Sequence, residues 1–195
     1  MDALVGKHVR LEPLAMSHVD ALVLAVSESR DAYRWTWVPG GTDEMAAYVE
    51  TALDRRDAGL AEPFATVWDG RVVGSTRFVL ERWKGNDDAG GTPDACEIGY
   101  TWLAASAQRT VVNTEAKLLM LTHAFETWHV HRVSLRTDAR NEASRAAIER
   151  IGAKQDGVLR AFEAGVDGTV RDTVWFSILR DEWPAAKARL QGMIG

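Results

Sequence analysis

At 195 residues the chain has room for one sizeable core, or at most two small ones. Hydrophobic residues make up 46% and charged residues 26%; the net charge of −5 argues against a nucleic-acid-binding surface, and a single cysteine, Cys96, excludes an internal disulfide and a cysteine-built zinc site. No apolar run reaches membrane-spanning length and the first residues lack the apolar core of a signal peptide, so a cytoplasmic protein without a membrane partner is expected.

In chain order, residues 8–11 read as a short strand, and Ser17 is placed to cap a helix over 17–27. Thr42, followed by apolar Met45, Ala46, Tyr48, Val49 and Leu53, starts a second helix that ends near Gly59. Residues 64–68 and 72–80 are strands joined by Asp69-Gly70, a dipeptide suited to a two-residue hairpin turn. Residues 82–95, rich in Gly, Asp, Asn and Pro, form a surface loop containing the acidic run Lys84-Gly-Asn-Asp-Asp88. A strand over 97–103, a polar turn over 108–114 and a strongly apolar helix over 115–128 follow. Residues 132–138 are a strand, and Asn141-x-x-Ser144 opens a helix that stops at Gly152. Residues 158–162 and 169–179 pair around Asp167-Gly168, and 181–193 form a last helix with Pro184 in its first turn. No repeat, low-complexity tract or linker divides the chain. Residues 1–195 are therefore expected to form a single mixed α/β domain in the order β-α-α-β-β-β-α-β-α-β-β-α.

Chemistry concentrates between Glu97 and Gly152. A polar turn carrying Arg109 feeds into a helix start, where unpaired N–H groups and a partial positive charge suit a phosphate. An ordinary polar connection is the other reading of that turn. Asn141 and Ser144 share one face of a helix start, and capping alone accounts for such a pair. Glu97 opens the central strand, either as a base whose pKa burial raises or as a strand-edge charge; Glu163 is the second candidate base. Glu115, in the first turn of its expected helix, suits the helix dipole. His123, His129 and His131 lack a third ligand in zinc spacing, so no metal is expected. Cys96 reads as a buried structural thiol rather than a nucleophile. Of eight tryptophans, Trp68, Trp102, Trp128 and Trp175 sit in apolar segments and belong to a core. Trp35, Trp37 and Trp83 lie in turn-rich surroundings, where they either cluster locally or line a substrate or partner surface.

Five pieces taken in order, Val5-Gly-Lys-His-Val-Arg-Leu-Glu-Pro-Leu14, Asn113-Thr-Glu-Ala-Lys117, Asn141-Glu-Ala-Ser-Arg145, Asp167-Gly-Thr-Val-Arg-Asp172 and Glu182-Trp-Pro184, give the chain a resemblance over nearly its whole length. It resembles the GNAT superfamily of acyl-CoA-dependent N-acetyltransferases, and most closely the RimJ/RimL-like branch that acetylates ribosomal-protein N-termini. The resemblance implies a GNAT-like fold with a splayed central sheet and transfer of acetyl from acetyl-CoA to a primary amine by direct attack. It implies that Gln108, Arg109, Thr110, Val111, Val112, Asn113 and Thr114 hold the CoA pyrophosphate, and that backbone groups of Thr101, Trp102 and Leu103 pair with the pantetheine arm. Asn141 then contacts pantetheine, while Ser144 faces the thioester sulfur.

Two positions depart from the family pattern. Val111 stands in a slot that is usually glycine, so the turn must keep a negative φ there. Ile148 stands where many members carry a tyrosine as the general acid, leaving Ser144 as the acid and Glu97 as the base. These departures keep a second function open, a non-catalytic acyl-CoA-binding regulatory or scaffold module. A third reading, nucleic-acid binding, rests only on Arg132, Arg136, Arg140 and Arg145. The connection holding Trp35 and Trp37 borders the acceptor cleft in the family. With Trp83 these rings are the expected substrate-binding surface, favouring a peptide N-terminus or a small amine with apolar flanks over a polycation. Trp35, Trp37 and the 82–95 loop also offer a surface for a homodimer.

Overall fold

The computed structural model describes residues 1–83 and 91–195; the acidic run at 84–88 lies outside the described residues. The strands are β1 (Leu4–Val5), β2 (Val9–Pro13), β3 (Ala61–Trp68), β4 (Arg71–Glu81), β5 (Ala95–Leu103), β6 (Arg132–Asp138), β7 (Lys154–Ala164) and β8 (Val170–Leu179). The helices are α1 (Val19–Ser27), α2 (Thr42–Asp57), α3 (Val111–Thr122), α4 (Glu142–Arg150) and α5 (Trp183–Ile194). All eight strands join one sheet in the order β1-β2-β3-β4-β5-β6-β8-β7. Every pairing is antiparallel except β5 with β6.

Local chemistry accounts for most of these elements. Asp69 and Gly70, with φ of 50° and 70°, make the left-handed pair that a tight β3–β4 hairpin requires. In α2 the buried residues Met45, Tyr48, Val49 and Ala52 repeat at helical spacing and turn one face inward. That face, with α1, covers one side of the sheet over β3 and β4. On the other side Phe78 of β4 meets His123 and Trp128 at the end of α3, and α3 packs against α5.

Several expected boundaries move. β1 is an additional strand, too short to carry its own pattern. Ser17 does not cap α1: residues Met16–His18 form a preceding tight turn in which the Ala15 N–H donates to His18 Nδ1 at 3.1 Å. The helix expected from residue 115 begins at Val111, capped by Thr110, because a threonine directly ahead of Val111-Val112 satisfies the first-turn N–H two residues on, which water would otherwise hold. Glu115 does not serve the helix dipole. It is buried, and its carboxylate accepts from the backbone N–H groups of Lys7, His8 and Val9 at 2.6, 2.9 and 2.9 Å, pinning the start of β2 to α3. Of the four tryptophans assigned to the core, Trp102 is buried whereas Trp68, Trp128 and Trp175 are half-buried; Trp183, at the start of α5, is buried as well.

Candidate active site

β5 and β6 run side by side for only three residue pairs, Ala95 with Arg132, Cys96 with Val133 and Glu97 with Ser134. Beyond Glu97 the strands part. The cause lies on the other edge of β5, where Ser75 faces Trp102 and Arg77 faces Gly99, so Tyr100 and Thr101 together oppose Thr76. This bulge, with Tyr100 at φ 52°, adds local twist and bends β5 away from β6. Gly74 is needed for the bulge to close, since a Cβ there would fall 2.1 Å from the Trp102 carbonyl oxygen.

The Trp102 carbonyl thus faces β4, and strand alternation turns the amides of Thr101 and Leu103 toward the gap. The Leu103 carbonyl is already engaged by Tyr33 Oη and Gln108 Nε2, both at 3.0 Å. Gap-facing backbone therefore comes from Thr101 and the Leu103 N–H, while the Trp102 and Leu103 carbonyls are committed to the fold. The Thr101 side chain points to the α3 side, bonded to Thr76 Oγ1 and to Lys117 Nζ at 2.8 Å each. Lys117 is buried, and loss of solvation pulls its amine down to about 7.

Past the gap, the turn before α3 is compact. Arg109 is exposed and carries the left-handed backbone (φ 60°), which leaves Val111 free to take helical geometry as the first residue of α3. Thr110 Oγ1 accepts from the Val112 N–H at 3.2 Å and donates to the Ala107 carbonyl at 2.7 Å. The cap satisfies Val112; the remaining first-turn N–H groups, those of Val111 and Asn113, have no intrahelical acceptor. The Thr114 hydroxyl accepts from Arg150 Nη2 at 3.1 Å, so it ties α3 to α4.

At the start of α4, Asn141 Oδ1 accepts from the Ser144 N–H at 3.0 Å, the capping arrangement. The half-buried Ser144 hydroxyl has no hydrogen bond to another described residue. Ile148, one turn on, is buried. α4 therefore offers the gap a hydroxyl and no phenol.

Glu97 sits on the α1–α2 side of the sheet with 7% of its surface exposed. Arg136 Nε donates to Glu97 Oε1 at 3.0 Å, and Arg136 Nη1 lies 3.5 Å from Glu163 Oε1. Glu163 also pairs with Arg171, so the two carboxylates named as alternative bases belong to one network bridged by Arg136. Burial raises the Glu97 carboxyl above its ordinary range and the Arg136 charge opposes it; the outcome is a raised pKa. Gly99 matters here: a Cβ would fall 2.5 Å from Glu97 Oε1, so only glycine lets this carboxylate fold back over the strand.

The connection between α1 and α2 spans the gap. Tyr33 reaches the end of β5, and the Trp35 ring lies 4.3 Å from the Arg140 guanidinium beyond the end of β6. Trp37 is 59% exposed and flanks Tyr48 at 6.3 Å. Trp83 is separated from both: it stacks on His131 at 5.2 Å, at the paired end of β5 and β6 rather than the splayed one. The arginines proposed as a basic cluster are mostly paired, Arg132 with Glu81, Arg136 with Glu97, and Arg140 with Asp138 and Asp167. Arg145 Nη1 donates to the Ala139 carbonyl. Cys96 is buried, and burial raises its thiol well above the usual range. Among the described residues no group of three His, Cys, Asp or Glu could hold a metal, and no helix is long and apolar enough to cross a membrane.

Sequence reasoning missed Arg77, Tyr48 and Tyr100, which pack together on the same face as Glu97. A signal was present: Arg77 is a lone charge within the apolar alternation of β4, beside Phe78. In the sequence Arg136 stands out only as one of four neighbouring arginines, with Arg132, Arg140 and Arg145.

Comparison with known proteins agrees with this geometry. A family model described as an acetyltransferase (GNAT) domain matches residues 8–154. The curated Bacillus subtilis (strain 168) protein named "Putative ribosomal N-acetyltransferase YdaF" is 37% identical over 159 residues, 82% of this chain and 75% of that protein. Among solved structures, a GCN5-related N-acetyltransferase from Brucella melitensis is 28% identical, with a TM-score of 0.83 over 99% of this chain and 85% of that one. Mycobacterium smegmatis RimJ, in complex with CoA-disulfide, shares the fold at 23% identity, with a TM-score of 0.79 over 95% of this chain and 88% of that one.

Proposed function

The chain belongs to the GNAT family of acetyltransferases, which move an acetyl group from acetyl-CoA to an amine, and we propose that its acceptor is the α-amine of a peptide or protein. The observation that carries the reading is the parting of β5 and β6 just beyond Glu97, which opens a gap between a buried carboxylate and the starts of α3 and α4. The ribosomal acceptor in the name of the Bacillus subtilis relative supports a protein N-terminus as the acceptor.

The residues fit the acyl donor. The Val111 and Asn113 amides at the start of α3, with exposed Arg109 beside them, suit a pyrophosphate. The gap-facing Thr101 backbone suits the amides of a pantetheine arm, which then lies against α4 near Asn141. The thioester supplies a carbonyl carbon open to attack by a neutral amine. The protein holds the amine close to it, and a backbone N–H at the Tyr100–Thr101 bulge polarises the carbonyl. Glu97 takes the proton that the amine loses; its raised pKa brings it nearer to that task at neutral pH. Ser144, whose hydroxyl is uncommitted, gives a proton to the departing sulfur and regains one from solvent. Trp35 and Trp37 flank the acceptor's path; Trp83, at the far end of the strands, has no part in it.

The test pairs calorimetric titration of acetyl-CoA with mass analysis of peptide products. Acetyl-CoA binding together with N-terminal acetylation is expected. Binding without acetylation of any peptide would remove the acceptor assignment, and no binding in a folded sample would remove the site.

A further inference from the structure

Arg77 is 2% exposed, yet its Nε and Nη2 have no hydrogen-bond partner, and it makes no ion pair among the described residues. Its guanidinium lies 4.1 Å from the Tyr100 ring centre and 4.8 Å from that of Tyr48. Such contacts cover the flat faces of the cation and leave its in-plane N–H donors unsatisfied. A buried, permanently charged group with free donors is costly unless an anion meets it. Glu97, a carboxylate on this same face, is committed to Arg136.

The position points to what that anion is. Arg77 pairs across the ladder with Gly99, and Glu97 pairs with Val79, so the two charged side chains project from the same sheet face as diagonal neighbours. Sheet geometry sets such neighbours about 7–8 Å apart. The bare Gly99 lies between them, and the bulge begins at the next residue. Tyr100, 46% exposed, covers Arg77 from the open side, with Tyr48 and the exposed Trp37 beyond. An amine presented to Glu97 by a short chain would therefore bring a nearby acidic group to Arg77.

We propose that Arg77 is a specificity-determining residue that binds a carboxylate of the acceptor, carried within the first two residues from the reacting amine. This rests on the amine-acceptor reading above and narrows it to acidic acceptors. The carboxylate has two sources, the side chain of an N-terminal peptide segment or the α-carboxylate of a free amino acid or dipeptide.

The experiment compares kcat/KM at saturating acetyl-CoA for matched peptides carrying Asp or Asn, or Glu or Gln, at the first or second position. Free glutamate and its α-amide form the second arm. Acidic peptides should be preferred roughly tenfold to a hundredfold, the worth of one charge-assisted contact. A preference confined to the free amino acid would assign the α-carboxylate. In Arg77→Met the acid-to-amide ratio should fall toward one, through KM for the acidic acceptor, with KM for acetyl-CoA unmoved. Equal use of acid and amide by the wild-type enzyme, or an equal loss on both in Arg77→Met, would overturn the proposal. Should Arg77→Met fail to fold, N-acetylated acid and amide peptides competing against wild-type enzyme give the same comparison. If acetyl-CoA binds but no amine is acetylated, the function fails separately, and calorimetric binding of the acidic over the neutral peptide in the presence of CoA still decides the role of Arg77.

Discussion

Replacing Arg136 with Met removes the cation that bridges Glu97 and Glu163, 3.0 and 3.5 Å away, while keeping an unbranched chain beneath Phe162 and Trp175. Burial pushes the Glu97 carboxyl up and Arg136 holds it back, so without the cation desolvation acts unopposed. At an effective dielectric near 20, unit charges about 4 Å apart interact by about 4 kcal/mol, an upper bound because Arg136 is partly exposed. Screening leaves roughly 1.5–3 kcal/mol, or about one to two pH units. The assay is the pH profile of kcat/KM for the amine at saturating acetyl-CoA. Its acid limb should move upward by about one to two units, with activity recovering on the alkaline side where Glu97 is again ionised. Stability carries the same sign. A carboxyl raised in the folded state favours folding below its unfolded pKa and loses that contribution as pH rises through the folded value, so the Tm deficit of Arg136→Met should grow as pH rises above the ordinary carboxylate range. A limb that stays in place, or that persists in Glu97→Gln, would refute Glu97 as the titrating base.

Three further outcomes follow from single contacts. Ser144→Ala should lower kcat more than it weakens CoA binding, whereas Asn141→Ala, which removes the α4 cap, should cost about 0.5–2 kcal/mol in thermal denaturation. Lys117, buried with its amine pulled down to about 7, releases its proton in the folded state before the unfolded one, so stability should climb with pH above about 7 by up to about 1.4 kcal/mol per unit; Lys117→Met should flatten that slope in denaturant titrations. Glu115→Ala strips the acceptor from three backbone N–H groups and should cost roughly 3 kcal/mol, seen as a Tm lowered by about 6–12 °C, with acetyl-CoA affinity unchanged in the folded protein.

The strands and helices that bury a patterned face were legible in the sequence, as the Asp69-Gly70 hairpin and the β6 strand illustrate. The family followed from short motifs in order, among them the one carrying Asn141 and Ser144. What escaped was whatever depends on partners distant in sequence. Glu115 looks like any first-turn acid until β2 arrives with three N–H groups, and Glu97 and Glu163 look like alternatives until Arg136 joins them. The Val111 departure resolves in the same way, because the left-handed backbone the turn needs sits at Arg109, a residue whose type gives no hint of it. Trp83 fails as a cleft residue because composition reports that a ring is near turns and does not report which end of the strands those turns occupy.

The most direct test of acetyl transfer in the gap beyond Glu97 is a time course of peptide mass and free CoA in one reaction, run with wild type, Glu97→Gln and Ser144→Ala. The account predicts an acetylated N-terminus forming in step with free CoA, nearly abolished by Glu97→Gln and slowed by Ser144→Ala. Free CoA without acetylated peptide, or wild-type rates in both variants, would contradict it.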